Sequence, residues 1–435
     1  MTTLAEVRLW GRTIGAVSLA TGEQVADFQY DPAFVSSGIQ LSPLVMPLSR
    51  QLYRFPELPR ETFHGLPGLL ADSLPDKFGN ALINAWLAGQ GRSPDSFNAV
   101  ERLCYTGSRG MGALEFVPMS GPRMQQSTQV DIQALVALAS DVLANRNQFA
   151  SSLADEGKAE ALKDILRVGT SAGGARAKAV IAWNRQTNEV RSGQVSTESG
   201  FAYWLLKFDG VSGNRDRELD DPQGYCAIEY AYYLMATAAG IDMFESRLLE
   251  EGGRRHFMTR RFDRGDDGDK LHMQSLCALA HFDFNQAGAY SYEQALLVIR
   301  QLGLPMQARE EQFRRMAFNI IARNQDDHVK NIAFLMDRRG QWSLSPAFDV
   351  TSSYNPQGAW TATHQMTLNG KRDGFTLDDF IQCGKNAGLK RGRAETIVSE
   401  VQATVSRWPE FAEAAKVAPQ WIDEVGRHLR LDLIH

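Results

Sequence analysis

Apolar and polar positions alternate almost from the first residue. Val7 and Leu9 flank Arg8, Gly11-Arg12 offers a turn, and Ile14 to Val17 returns, which predicts a β-hairpin. Phe63 to Leu70 is an apolar stretch interrupted by glycine and proline. It leads into Asp72-Ser73-Leu74-Pro75-Asp76-Lys77-Phe78-Gly79, where Pro and Gly fall at turn spacing. Gly107 to Gly112 reads as another turn, ahead of a strand over Ala113–Val117. Residues 1–120 are thus expected to form a β-rich module with short helices. Pro118 to Thr128 is polar and reads as a linker, and helical patterns follow to about Arg167. Strands are predicted over Ala179–Trp183 and Tyr203–Phe208, a helix over Gly224–Ala239, and two strands around Glu251-Gly252-Gly253. This makes 121–265 a strand-rich lobe. Beyond about residue 285 the pattern turns helical. Phe313, Met316, Ala317, Ile320 and Ile321 recur at three and four, marking one amphipathic helix. Residues 266–435 read as a helical lobe. The fold class is α+β, with a cleft expected between the second and third stretches.

The bulk numbers exclude more than they choose. A chain of 435 residues has room for two or three domains. Its 43% hydrophobic and 22% charged residues are ordinary for a globular enzyme. A net charge of −5 gives no reason for nonspecific nucleic-acid binding by the whole chain. Cys104, Cys226, Cys277 and Cys383 are far apart and lack metal spacing, which argues against zinc or a disulfide framework and fits a reducing cytosol. Glu6, Arg8 and Arg12 break any signal-peptide core, and no apolar run is long enough to span a bilayer. A cytoplasmic protein with no membrane association is expected.

The candidate chemistry concentrates in Asn324-Gln325-Asp326-Asp327-His328-Val329-Lys330-Asn331, just after the amphipathic helix and just before Ile332-Ala333-Phe334-Leu335. Asp-x-x-x-x-Asn is the spacing of the protein-kinase catalytic loop, in which the Asp receives the proton of the attacking hydroxyl and the Asn holds a metal. Asp326 keeps that offset to Asn331; Asp327 does not, and suits a turn or helix cap. His328 is either a metal ligand or a hydrogen-bonded structural residue. Lys330 either neutralises a phosphate or is solvated. Asp349, between Phe348 and Val350, reads as a carboxylate on an apolar strand. A carboxylate there needs a cation or hydrogen-bond donors, and Mg²⁺ suits Asp and Asn oxygens together with nucleotide phosphates.

A phosphate cradle needs successive backbone N–H groups turned inward, which glycine permits. Gly173-Gly174 offers this, with Arg176 and Lys178 adding charge, although the same residues also suit a plain helix-to-strand connection. No Gly-Lys-Ser/Thr follows, so it is not a Walker sequence. Lys207 lies in an apolar strand-like run, pointing either to solvent or into the cleft, with Glu229 as a possible partner. Ser171 in the Gly-rich segment is either a structural hydroxyl or a phosphorylation site.

Three segments together, Asn324-x-Asp326-Asp327-His328-x-Lys330-Asn331, Ser171-Ala172-Gly173-Gly174-Ala175-Arg176-Ala177-Lys178 and Asp72 to Gly79, resemble the HipA family of toxin kinases over nearly the whole chain. The resemblance implies a two-lobed protein-kinase-like fold with an added N-terminal module. It also implies a serine/threonine-protein kinase toxin of a bacterial toxin–antitoxin pair that uses ATP and Mg²⁺. Asp326 would be the catalytic base, and Asn331 and Asp349 would hold Mg²⁺. Lys207 and the loop Gly173, Gly174, Ala175, Arg176, Ala177, Lys178 would hold ATP phosphates. Thr259 to Phe262, with Arg260 and Arg261, would form the adenine-side hinge, and His328, Lys330 and Asn331 would complete the ATP site. Ser171 would be autophosphorylated. Family targets include glutamyl-tRNA synthetase, and the implied partner is a HipB-type helix-turn-helix antitoxin through which operator DNA is reached. Arg176 stands where the best-known member has Gln, and Arg260 where it has Glu; both differences bear on the protein target more than on the chemistry.

Two other classes compete with the protein kinase. A corepressor would bind antitoxin and operator without transferring phosphate, but the set Lys207, Asp326, Asn331 and Asp349 is intact. A small-molecule kinase would share the Asp-x-x-x-x-Asn logic, but the large N-terminal module favours a protein partner.

Overall fold

The structure, a computed structural model, describes residues 2–120, 129–144, 176–194, 197, 199–211, 223–265 and 268–433. Ser171, Gly173, Gly174 and Ala175 lie outside the described residues, as does most of the helical pattern expected before Arg167. The N-terminal sheet has the order β4-β3-β2-β1-β5, from β1 (Thr2–Leu9), β2 (Arg12–Ala20), β3 (Asp27–Tyr30), β4 (Leu52–Tyr53) and β5 (Leu114–Val117). The predicted hairpin is present, but its turn is one residue earlier than expected. Leu9 pairs with Arg12 around Trp10 and Gly11, whose φ values are 50° and 78°. Two left-handed central residues are what a two-residue hairpin matching the strand twist requires. Alternation then buries Val7 and Leu9.

The second sheet has the order β7-β6-β8-β10-β9: β6 (Lys178–Asn184), β7 (Val190–Ser192), β8 (Phe201–Lys207), β9 (Ser246–Glu251) and β10 (Arg254–Arg260). The third is β11-β12-β13: β11 (His272–Ser275), β12 (Ala333–Met336) and β13 (Trp342–Leu344). Leaving the shortest helices unnumbered, α1 is Lys77–Gly89, α2 Ala99–Thr106, α3 Ile132–Ala144, α4 Tyr225–Ala238, α5 Tyr292–Gln301 and α6 Met306–Ile321. The C-terminal helices are α7 (Leu377–Asn386), α8 (Arg393–Val405), α9 (Trp408–Ala414) and α10 (Pro419–His428). Phe313, Met316, Ala317, Ile320 and Ile321 of α6 are all fully buried, as their spacing predicts.

Hydrophobic cores cross the boundaries expected near residues 120 and 265. One core joins Val7, Val17 and Phe28 of the N-terminal sheet to α4 and to α5–α8. A second packs Phe78, Leu82 and Ile83 of α1 and Ile132 and Leu135 of α3 on Ala179, Ile181, Trp204 and Leu206 of the second sheet. The first 120 residues are therefore part of both lobes' packing. Among the described residues no helix is long and apolar enough to cross a membrane.

Candidate active site

Strand pairing builds the centre of the site. In the antiparallel β6–β8 register Lys178 lies opposite Lys207, so the two side chains enter the same region from adjacent strands. Two lysines side by side in a buried place need carboxylates. Lys207 is 6% exposed, which removes the solvent-facing alternative, and its Nζ donates to Glu229 Oε1 of α4 and to Asp349 Oδ1. Burial pushes the Lys207 ammonium down, but Asp349 and Glu229 outweigh it and hold it above its ordinary value. Arg176 NH1 also reaches Glu229, at 3.3 Å, while its guanidinium stacks 4.4 Å from the Tyr225 ring. Lys178 pairs with Asp76 at 3.4 Å. Ala177 is buried in the second core, and its carbonyl accepts the Phe208 N–H.

Asp349 is not on a strand. Only Ala347 makes a parallel bridge, to Met243, and Asp349 itself takes a left-handed backbone at φ 53°. The apolar neighbours mislead because Val350 is buried by tertiary packing and Phe348 packs on Phe262, 5.8 Å between centroids, rather than on a pleat. Left-handed non-glycine residues are strained and concentrate at functional sites. Burial pushes the Asp349 carboxyl up, yet the charges of Lys207 and Lys178 win and bring it down to about 2.

The catalytic-loop candidates follow the end of α6. Arg323, at φ 58°, stops the helix, and Val329–Asn331 form one 3₁₀ turn before β12. Asn331 Nδ2 donates to the Asp326 carbonyl at 2.8 Å, closing the six-residue loop on itself and leaving Oδ1 as its other polar atom. Asp326 Oδ1 accepts from Trp360 Nε1 at 2.7 Å, and His328 Nε2 is 3.8 Å away. Burial raises the Asp326 carboxyl, against the opposing influence of His328 and Trp360. His328, Asn331 and Asp349 line one small cavity. His328 Nδ1 is buried with no hydrogen-bond partner among the described residues. Lys330 Nζ sits 5.1 Å above the Phe284 ring.

Asp327 is neither a turn residue nor a cap. It is 1% exposed at the side chain and accepts from Tyr292 Oη (2.6 Å), His364 Nδ1 (2.7 Å) and the Gln365 N–H (2.7 Å). His364 Nε2 lies 2.8 Å from Arg430 NH1. Burial alone raises the Asp327 carboxyl, but His364 and the other donors hold it below the usual carboxylate range. The neighbouring acids therefore face opposite environments: the Asp327 side chain is sealed, while that of Asp326 is 37% exposed.

The hinge residues divide. Arg260 lies 5.8 Å from the Phe244 ring, and its N–H donates to Glu245 O. Arg261 turns away: it is 3% exposed and binds Asp263 through Nε (2.9 Å) and NH2 (2.7 Å), and Gly110 O through NH2. Its side chain is thus not among the groups around Lys207. Phe262 packs between Phe244 and Phe348.

A divalent cation fits the donor set. Asp349 supplies a carboxylate, Asn331 an amide oxygen, and both line the same cavity. Mg²⁺ takes one or two such protein oxygens and completes its shell with water and phosphate. Among the described residues no cluster of three His, Cys, Asp or Glu forms a separate metal cage.

Residues 170–408 match the model described as the HipA-like C-terminal domain, and residues 5–117 match that of the HipA N-terminal domain. The chain belongs to the HipA family. A putative kinase of Haemophilus influenzae is 24% identical over 191 residues, 38% of this chain and 56% of that protein. A putative kinase of Sinorhizobium fredii is 25% identical over 203 residues, 43% of this chain and 48% of that protein. The chain spans about half the length of these curated relatives. Among solved structures, HipA of Shewanella oneidensis MR-1, in a complex with HipB and operator DNA, aligns over 98% of this chain and 95% of that one. Its TM-score is 0.69 at 17% identity. The chain therefore shares the HipA fold.

Reading the sequence missed three parts of this HipA-family site. Asp76 stood inside a quoted motif but read as a turn. Trp360 and His364 lie in a stretch with no regular period, and both reach the loop across more than thirty residues. Their one signal is an aromatic and a histidine in an otherwise polar, Gly-containing segment after Asp349.

Proposed function

We propose that this chain is an ATP- and Mg²⁺-dependent serine/threonine-protein kinase, the toxin of a toxin–antitoxin pair. The observation that carries this reading is Lys207, which bridges Glu229 of α4 and Asp349 while the Asp326–Asn331 loop lies beside Asp349. A lysine paired with a helix glutamate and set beside a metal-binding aspartate is the arrangement protein kinases use on the ATP phosphates. Lys207, Lys178 and the loop from Gly173 hold the phosphates, and the hinge from Thr259 to Phe262 meets the adenine. Asn331 and Asp349 hold Mg²⁺, which when bound offsets the charge on the transferring phosphoryl group. Asp326 receives the proton of a protein hydroxyl, and Ser171 is itself an acceptor. The HipA fold and the HipB-containing neighbour support a helix-turn-helix antitoxin as partner, with operator DNA reached through it. An aminoacyl-tRNA synthetase such as the glutamyl enzyme is the target to test first.

Incubating the purified chain with Mg²⁺ and γ-labelled ATP should label protein, and intact-mass and phosphosite mapping should place a phosphate on Ser171. Labelling should vanish in Asp326→Ala and Asp349→Ala and on chelation of the metal. Full labelling by both folded variants would remove the proposed mechanism.

A further inference from the structure

The segment Asp72 to Gly79 fastens to both sides of the cleft within a few residues. Asp72 Oδ2 accepts the Ser275 N–H at 2.7 Å and Oδ1 the Ser275 hydroxyl at 2.8 Å. The next residue, Leu276, donates its N–H to the Ile332 carbonyl at 2.7 Å, directly after Asn331. Asp72 is thus one step from the Asp326–Asn331 loop. Asp76, four residues on, goes the other way. Its Oδ1 caps α1 by accepting the Gly79 N–H at 2.6 Å. Its Oδ2 is buried with no hydrogen bond and faces Lys178 Nζ at 3.4 Å. The two side chains are 5% and 3% exposed.

A carboxylate sealed in this way costs folding energy unless its partner requires it. The partner is the lysine lying opposite Lys207 and near enough to Asp349 to lower its carboxyl. Lys207 has Glu229 and Asp349. Lys178 feels both carboxylates, Asp76 more strongly than Asp349, the one the proposed metal needs. We propose that Asp76 is a positioning residue. It holds the Lys178 ammonium away from Asp349 and aimed at the nucleotide phosphates, so the first 120 residues form a working part of the ATP site. Asp72 sets the distance between that lysine and the catalytic loop, because both carboxylates stand on one short proline-containing link. This inference rests on the kinase reading above.

The test is Asp76→Asn, which keeps a good helix cap and removes the charge, with Asp76→Glu as the charge-keeping control. Mg-ATP affinity is measured with a fluorescent ATP analogue, kcat and KM by phosphoryl transfer, and folding by thermal denaturation. Asp76→Asn should weaken Mg-ATP roughly 10- to 100-fold, the worth of one hydrogen bond to a charged group, and should raise KM more than it lowers kcat. Asp76→Glu should recover most of the affinity. In a Lys178→Met background the Asp76→Asn change should cost nothing further, because its effect runs through that ammonium. Binding within twofold of wild type by folded Asp76→Asn, or an equal loss in the Lys178→Met background, overturns the inference and leaves the kinase reading intact. A wild-type chain that binds no Mg-ATP overturns both.

Discussion

Asp326 and Asp327 are adjacent, chemically identical and predicted to fail in opposite ways. Asp327 is sealed and accepts three hydrogen bonds, from Tyr292, His364 and the Gln365 N–H. Removing one partner of a buried charged network costs about 3–5 kcal/mol. Unfolding entropy is about 2.1 cal/mol/K per residue, or about 0.9 kcal/mol/K for 435 residues, so Asp327→Ala should lower Tm by roughly 3–6 °C. Asp326 has one strong donor, Trp360, and 37% of its side chain is exposed. Burial raises its carboxyl, so the folded state disfavours its charged form. Asp326→Ala should therefore leave Tm nearly unchanged while phosphoryl transfer falls about 10²- to 10⁴-fold, the usual worth of a general base. Differential scanning calorimetry and a γ-phosphate transfer assay on both variants decide the matter. Equal losses of Tm, or an active Asp326→Ala beside a stable, inactive Asp327→Ala, would refute the assignment of base and anchor.

Three shorter predictions follow from the same contacts. Lys207→Met leaves Glu229 and Asp349 facing each other without the cation, so Mg-ATP binding should be lost by calorimetric titration while Arg176 still partners Glu229. Asp263 is fully buried between Arg261, Arg264 and the Gly112 N–H, and these hold its carboxyl far below the ordinary range although burial opposes them. A depressed carboxyl stabilises above its unfolded pKa of about 3.9 and loses that contribution as pH falls. Urea midpoints should therefore drop below about pH 4, and less steeply in Asp263→Asn. Trp360→Phe keeps an aromatic ring but loses the donor to Asp326, and should slow transfer with little change in nucleotide affinity, measured as kcat against KM for ATP.

What the sequence revealed was what short-range chemistry decides. The five α6 positions show their period because one face of one helix meets one core. The Asp326–Asn331 spacing was readable because the loop closes on itself through Asn331 and the Asp326 carbonyl. Glu229 could be named as a possible partner of Lys207 because, among the described residues, its helix is the next element after the strand. What escaped depends on contacts between distant segments. Asp349 is left-handed, and its neighbour Phe348 packs on the distant Phe262; no local propensity encodes either. Asp76 was hidden by its neighbours: Pro75 and Gly79 signal a turn, while the carboxylate's two tasks, capping α1 and meeting Lys178, need a helix and a strand far apart in the chain. Arg261, placed in the hinge by the family resemblance, has its guanidinium held by Asp263, two residues on, a pairing that no motif signals.

On the proposed kinase reading, the pairing of Lys207 with Asp349 would set an order of binding. The same carboxylate cannot fully serve both an ammonium and a divalent cation, and Mg²⁺ is slow to give up its waters. Metal alone would have to displace Lys207, leaving a buried ammonium with Glu229, which Arg176 already shares. On the proposed kinase reading, the phosphates of bound ATP would take Lys207 and Lys178 and free Asp349 for the cation. Metal and nucleotide should therefore bind as one unit: titration of Mn²⁺ as a paramagnetic probe should show weak binding to the chain alone and at least tenfold tighter binding with a non-hydrolysable ATP analogue. Weakening the Lys207–Asp349 pair with Lys207→Met should tighten Mn²⁺ binding in the absence of nucleotide even as it abolishes the synergy. If Mn²⁺ binds equally well with and without the analogue, the ion pair does not govern access to Asp349, and the metal lies elsewhere.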